Sequence, residues 1–172
     1  MLFLSACSNH TEKEIATTTA TVQTHTDSNA AAAGPATAAP SALPSFNLQD
    51  VNGKIVKLQS FKGKKIFVNL WATWCPPCRV EIPSIEKLYA KADKEKAVFI
   101  MLSLDRNFEV AKQYAKRGKM AVPVYYPAEN LPALFETDYI PASFIFDEKG
   151  ALLKRIDGMA DYSKKEYVTL FQ

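Results

Sequence analysis

The stretch KKIFVNLWATWCPPCRVEIPSIEKLY, Lys64 to Tyr89, joins three patterns without a gap. Ile66 to Trp71 is a nearly continuous apolar run after a Lys-Gly turn, as in a strand buried on both faces. Ile82, Ile85, Leu88, Tyr89 and Ala92 then recur at helical spacing. Between the two lie Cys75 and Cys78, separated only by Pro76 and Pro77. Cys75 therefore falls just past the C-terminal end of a buried strand and at the start of a helix, where open α/β sheets present reactive groups. A helix N-terminus carries partial positive charge, which favours thiolate at Cys75. Cys78, one turn inward, faces the same side and lies more buried, so a disulfide can form and break without moving the fold. The prolines cost little there, because a missing N–H in the first turn loses no partner.

The flanking sequence extends this unit to a whole domain. Upstream, SFNLQDVNGKIVKLQSF has two short extended pieces around Asn52-Gly53, a two-residue hairpin signal. Downstream, KAVFIMLSLD is a second buried strand, and strand, helix, strand in this order implies a right-handed parallel unit. NFEVAKQYAKRGK reads as an amphipathic helix ending near Gly118, VPVYY as a short strand, and NLPALFETDY as a helix capped by Asn130 with Pro132 in its first turn. ASFIFDEKGALLKRIDG gives two antiparallel strands about a Glu-Lys-Gly turn, and DYSKKEYVTLF a closing helix. The expectation is an α/β domain over 45–172: a mixed central sheet flanked by helices, with an added N-terminal β-hairpin.

The first quarter of the 172 residues has another character. No Phe, Trp or Tyr occurs from Ser5 to Ser45, and such an Ala/Thr/Ser/Pro tract buries too little apolar surface to offset the entropy of ordering it. Residues 8–44 are expected to be a disordered tether spanning roughly 30 to 35 Å. Leu4 to Cys7, LSAC, resembles the lipobox of bacterial lipoproteins, in which the cysteine is lipidated, although no basic n-region precedes it and Met1 to Leu4 is shorter than the usual apolar run. Residues 1–7 read either as a truncated lipoprotein signal or as a tail with an incidental Cys7. No stretch approaches 18 consecutive apolar residues. The net charge of +3 divides into −2 for the tail and +5 from Phe46 onward, with lysines and acids interleaved. That is a mixed solvated surface rather than a nucleic-acid footprint.

Three uses of the cysteine pair compete. A zinc site needs four ligands, and the other soft candidates, Cys7, His10 and His25, all lie in the tail. A structural disulfide closing so small a ring removes little unfolded-state entropy. A dithiol that cycles is the remaining use, and CxxC beside a βαβ pattern is a specific signal for it.

FVNLWATWCPPCRVEIPSIEKLY resembles the active-site segment of the thioredoxin superfamily, and is most similar to its TlpA/ResA/CcmG-like branch of extracytoplasmic, membrane-anchored thiol-disulfide oxidoreductases. The early hairpin, YIPASFIFDEKG and the terminal helix occur in the family's order, so the resemblance covers roughly Pro44 to the C-terminus. It implies a thioredoxin fold, Cys75 as attacking thiolate, Cys78 as resolving thiol, and Pro141 as a cis-proline that brings the Ile140 backbone beside the disulfide to receive a substrate strand. Trp74, Pro76 and Pro77 would form the rim of that surface. The plainer reading of Pro141 is an ordinary loop proline. Thioredoxin's buried acid six positions before the first cysteine is here Asn69, which cannot act as a base. The branch instead carries a glutamate three positions after the second cysteine, matched by Glu81. It would raise thiol pKa values or exchange a proton with Cys78; the plainer reading is an exposed helix carboxylate. Pro83 would kink the helix. Trp71 reads as core, Arg79 as a solvated charge.

The expected reaction is reduction of protein disulfides, because no His lies between the cysteines, both intervening N–H donors are absent and a carboxylate is near. The resemblance implies no cofactor beyond the redox-active disulfide, while the lack of further soft ligands in the domain speaks against a metal and the interleaved charge against a nucleic-acid partner. Its expected partners are protein disulfide substrates, such as apocytochrome c thiols or oxidised envelope proteins, and an upstream membrane thiol reductant, on the periplasmic side with a lipid anchor. A disulfide oxidase or isomerase, a peroxiredoxin-like peroxidase and a redox-inert adaptor are the alternatives. The peroxidase signature is absent, and a copper carrier would want a histidine in the domain, which has none.

Overall fold

The computed structural model describes residues 42–172. Cys7 and nearly all of the expected tether lie outside the described residues. Strands β1 (Asn47–Asp50), β2 (Ile55–Lys57), β3 (Lys65–Trp71), β4 (Ala97–Ser103), β5 (Val124–Pro127), β6 (Ala142–Phe146) and β7 (Leu152–Asp157) form one sheet in the order β2-β1-β5-β4-β3-β6-β7. β3, β4 and β5 run parallel, while β6, β7, β1 and β2 add antiparallel pairs at the two sides. Helices α1 (Pro76–Lys91), α2 (Phe108–Gly118) and α3 (Lys165–Leu170) supply the crossovers and the C-terminal cover.

Alternation along β3 divides the core. Phe67 and Trp71 point to one face, where Ile82, Ile85 and Leu88 of α1, Ala111 of α2 and Tyr167 of α3 meet them. Ile66, Val68 and Leu70 point to the other, against Leu48, Leu58, Phe135 and Phe144. Both faces of β3 are dry, which explains why its sequence is continuously apolar rather than alternating.

Three local expectations are corrected. The hairpin loop has three residues, not two: Asp50 N–H donates to the Lys54 carbonyl, and Gly53 N–H to that of Asp50, with Gly53 at φ +84°. Asp50 Oδ1 accepts from the N–H groups of Asn52 and Lys54, and a positive φ after a turn suits a three-residue loop. The helix expected over NLPALFETDY is only a 3-10 turn, Ala133–Phe135. A helix that short is weak alone, and here Phe135 anchors the segment edge-on to Phe46, 5.9 Å between ring centroids, while the chain beyond must extend into β6. The last helix begins only at Lys165. Just before the strands, Leu43 is buried and its N–H bonds the Gly150 carbonyl at 2.6 Å.

Phe67 holds the helical face together, with Phe99, Tyr162 and Phe171 rings at 5.3, 5.0 and 6.1 Å. Phe67→Ala is expected to lose about 3 to 5 kcal/mol in urea unfolding; a loss under about 1 kcal/mol would show that this ring cluster is not the core.

Candidate active site

The turn from β3 to α1 is fixed by four sets of hydrogen bonds. Leu104 N–H donates to the Trp71 carbonyl at 2.8 Å, and Cys75 N–H to that of Ala72 at 3.2 Å. Thr73 gives both its N–H, at 3.1 and 3.2 Å, and its hydroxyl, at 2.7 Å, to the carboxylate of Asp105. At the helix start the Cys78 N–H points at Cys75 Sγ, 3.2 Å away, with Cys75 as the N-cap. Pro76 and Pro77 occupy the first two helical positions, so this is the one early N–H aimed at the sulfur.

Cys75 and Cys78 form a disulfide, 5.3 Å apart at Cα, and both are buried. The Ile140–Pro141 bond is cis, and the Ile140 carbonyl oxygen lies 3.6 Å from Cys75 Sγ. Residues adjacent in sequence to these elements are exposed: Trp74 beside Cys75, Tyr139 before Ile140, and Met159, whose neighbour Gly158 donates its N–H to the Pro141 carbonyl. Exposed apolar side chains thus flank, in sequence, the segments that meet at a sulfur pair that is itself nearly inaccessible. Trp71 is core, packed 5.6 Å from Tyr114.

One turn beyond Cys78 on α1, Glu81 is only 2% exposed. Its Oε1 accepts from the Asn69 amide at 2.7 Å and its Oε2 from the Ala160 N–H at 3.1 Å. Asn69 also donates to Ser143 Oγ at 2.9 Å. Burial pushes the Glu81 carboxyl from its ordinary 4.5 up to about 7, against the opposing pull of the Ala160 and Asn69 bonds. Such a group exchanges protons near neutral pH. A groove of about 320 Å³, lined by Glu81, Met159, Ala160 and Asp161 among others, gives it a way out to solvent. α1 runs through Pro83, and the Ser84 hydroxyl, donating to the Glu81 carbonyl at 2.8 Å and accepting from Tyr162 N–H at 3.0 Å, ties this turn to the segment before α3.

The fold therefore brings Cys75, Cys78, Pro76, Pro77, Trp74, Ile140 and Pro141 to one end of the sheet, with Glu81 buried beneath. Three contributors were not singled out in the sequence. Asp105 has a signal, an acid just past the C-terminal end of a buried strand. Ser143 is visible only once the pairing of Asn69 with Ser143 across β3 and β6 is known. Ala160 acts through its backbone and has no signal at all. Among the described residues no group of three or more His, Cys, Asp or Glu side chains is placed to hold a metal ion.

The sequence profile of the redoxin family matches residues 38–169. The thiol-disulfide oxidoreductase ResA of Bacillus thuringiensis subsp. konkukian (strain 97-27) is 31% identical over 129 residues, covering 71% of this chain and 75% of that protein. The thioredoxin-like protein YneN of Bacillus subtilis (strain 168) is 34% identical over 111 residues, 63% of this chain and 65% of YneN. A thiol:disulfide interchange protein, a thioredoxin family protein from Chlorobium tepidum TLS, superposes with a TM-score of 0.64 at 29% identity, covering 78% of this chain and 97% of that one. StoA from Bacillus subtilis superposes at 0.63 with 24% identity, over 76% and 99%, a likeness of fold.

The raised Glu81 pKa has a thermodynamic consequence. Between pH 4.5 and about 7 the folded oxidised protein keeps a proton that the unfolded chain has lost. Stability should therefore fall as pH rises through that window, by about 3 kcal/mol from this group. Urea unfolding of the parent and of Glu81→Gln across the window should show the fall in the parent alone; equal slopes would mean that Glu81 titrates normally.

Proposed function

The chain belongs to the redoxin family and is a thiol-disulfide oxidoreductase with the thioredoxin fold, and from that premise we propose that it reduces disulfides of extracytoplasmic proteins. The observation that carries the direction is the thinness of support for a Cys75 thiolate: one N–H, that of Cys78, aims at its sulfur, and Pro76 and Pro77 supply none. A thiolate with few donors has a higher pKa, and a dithiol whose thiolate is poorly stabilised gives up its electrons more readily. The buried Glu81, when ionised, adds to the same effect by repelling negative charge on the sulfurs.

The reaction proceeds in two exchanges. The Cys75 thiolate attacks one sulfur of the substrate disulfide, forming a mixed disulfide and releasing the other sulfur as a thiolate that takes a proton. Cys78, losing its proton to Glu81, then attacks Cys75 Sγ, closing the Cys75–Cys78 disulfide and releasing the second substrate thiol. Two electrons pass to the substrate, and a thiol reductant upstream restores the dithiol. The Ile140 backbone, held by cis Pro141, receives the substrate chain alongside, with Trp74 at its rim. The LSAC segment and the Ala/Thr/Pro-rich stretch after it support attachment to a membrane through Cys7 with the domain on a tether.

Cys78→Ser tests the order of events. It should accumulate a mixed disulfide through Cys75 with a protein substrate, visible on non-reducing gels and reversed by dithiothreitol, while Cys75→Ser should trap none. Equal trapping by both variants would remove the assignment of Cys75 as the attacking group.

A further inference from the structure

Two surface grooves, each of about 550 Å³, adjoin the turn that carries the disulfide and meet at Thr73 and Val110. Trp74 and Arg106 line the first, Arg79 and Arg117 the second. The arginines come from three places far apart in sequence: the first turn of α1, the loop after β4 and the last turn of α2. Their convergence is thus a product of the fold, not of a charge run. All three are exposed, and among the described residues none of them enters an ion pair. The neighbouring acids are otherwise engaged. Asp105 lines the first groove, but its oxygens accept from Thr73 and from Ser103 Oγ. Glu109, on the first turn of α2, is paired with Lys112 at 2.6 Å. Beside the cations stands apolar surface, with Trp74 66% and Val110 45% exposed.

We infer that this double groove binds an acidic segment of a polypeptide partner, one that carries its disulfide to Cys75. The inference rests on the reading that the substrates are protein disulfides and narrows them to those flanked by Asp and Glu. Guanidinium groups match carboxylates in planar, two-bonded geometry, and unpaired ones beside an exposed indole form a surface that selects acidic, partly apolar chain. The site is concave and adjoins Cys75, so a chain can enter it where a flat bilayer cannot. Three exposed pairs of this kind are together worth about tenfold in affinity at low salt.

The test uses the full chain and two disulfide-free peptides of the same length, one rich in Asp and Glu, the other with Asn and Gln at those positions. Binding is followed by tryptophan fluorescence, which Trp74 reports from inside the groove. The acidic peptide should bind about tenfold tighter, with the difference gone near 1 M salt, where screening acts within about 3 Å. Arg106→Glu/Arg117→Glu should abolish the preference and Arg106→Gln/Arg117→Gln should reduce it, so one misfolded variant does not decide the matter. Equal affinities for the two peptides, or a preference that survives both variants, would overturn the inference. So would phosphatidylglycerol vesicles that bind through these arginines while the acidic peptide does not. In a parallel assay the reduced protein meets disulfide-containing versions of both peptides. Faster reduction of the acidic one supports the groove and the reductase reading together. Binding of the acidic peptide with reduction of neither would leave the groove standing and remove the reductase reading.

Discussion

A carboxylate with almost no access to water must be held by donors that the fold supplies, and much of the catalytic end of this domain is arranged around that requirement. Glu81 is held by the Asn69 side chain from β3 and the Ala160 N–H beyond β7, while Asn69 reaches on to Ser143 of β6. Asn69 and Ser143 are direct partners in the β3–β6 register. A slip of one residue would turn Asn69 to the opposite face. Glu81 would then be buried without its amide donor, an expensive outcome for a polar group inside an apolar core. One polar cross-link thereby ties two strands, a helix and the C-terminal segment together beneath the sulfurs.

The same economy governs the start of α1. A helix N-terminus ordinarily offers several free N–H groups to an anion. Here two are removed by Pro76 and Pro77, and a third, from Cys78, is the one that meets Cys75 Sγ. The rest of the loop is tied down by hydrogen bonds, from Thr73 to Asp105 and from Cys75 N–H to the Ala72 carbonyl. Such a loop holds a sulfur in place while giving its negative form little help. Each pKa unit by which the thiolate is disfavoured corresponds to about 1.4 kcal/mol, or about 30 mV for a two-electron couple. Geometry at the backbone level thus bears on the direction in which electrons flow.

The strands were legible because burial on both faces leaves a mark no other constraint imitates: IFVNLW and AVFIMLS are apolar throughout, apart from residues that turn out to be bonded inside. The positions of Cys75 and Cys78 were legible because a CxxC pair between a buried strand and a helix is unusual, whereas Pro141 came only from the family resemblance and by itself reads as an ordinary loop proline. What was not legible depended on tertiary contacts. NLPALFETDY has helical composition, yet Phe135 commits it to an aromatic pocket and the chain must then extend into β6. Asn-Gly suggested a two-residue turn, but Asp50 accepts two backbone N–H groups and favours a longer one. Arg79 read as a solvated charge, and nothing local could have placed Arg106 and Arg117 beside it. Convergence of that kind is written in the topology rather than in any window of sequence.

The equilibrium reduction potential of the Cys75–Cys78 pair, titrated against defined thiol buffers, is the measurement that bears most directly on the central claim. A sparsely supported thiolate over a buried carboxylate predicts a value near that of thioredoxin, about −270 mV. A value near that of the strong oxidant DsbA, about −120 mV, would contradict it and assign the protein to disulfide formation instead.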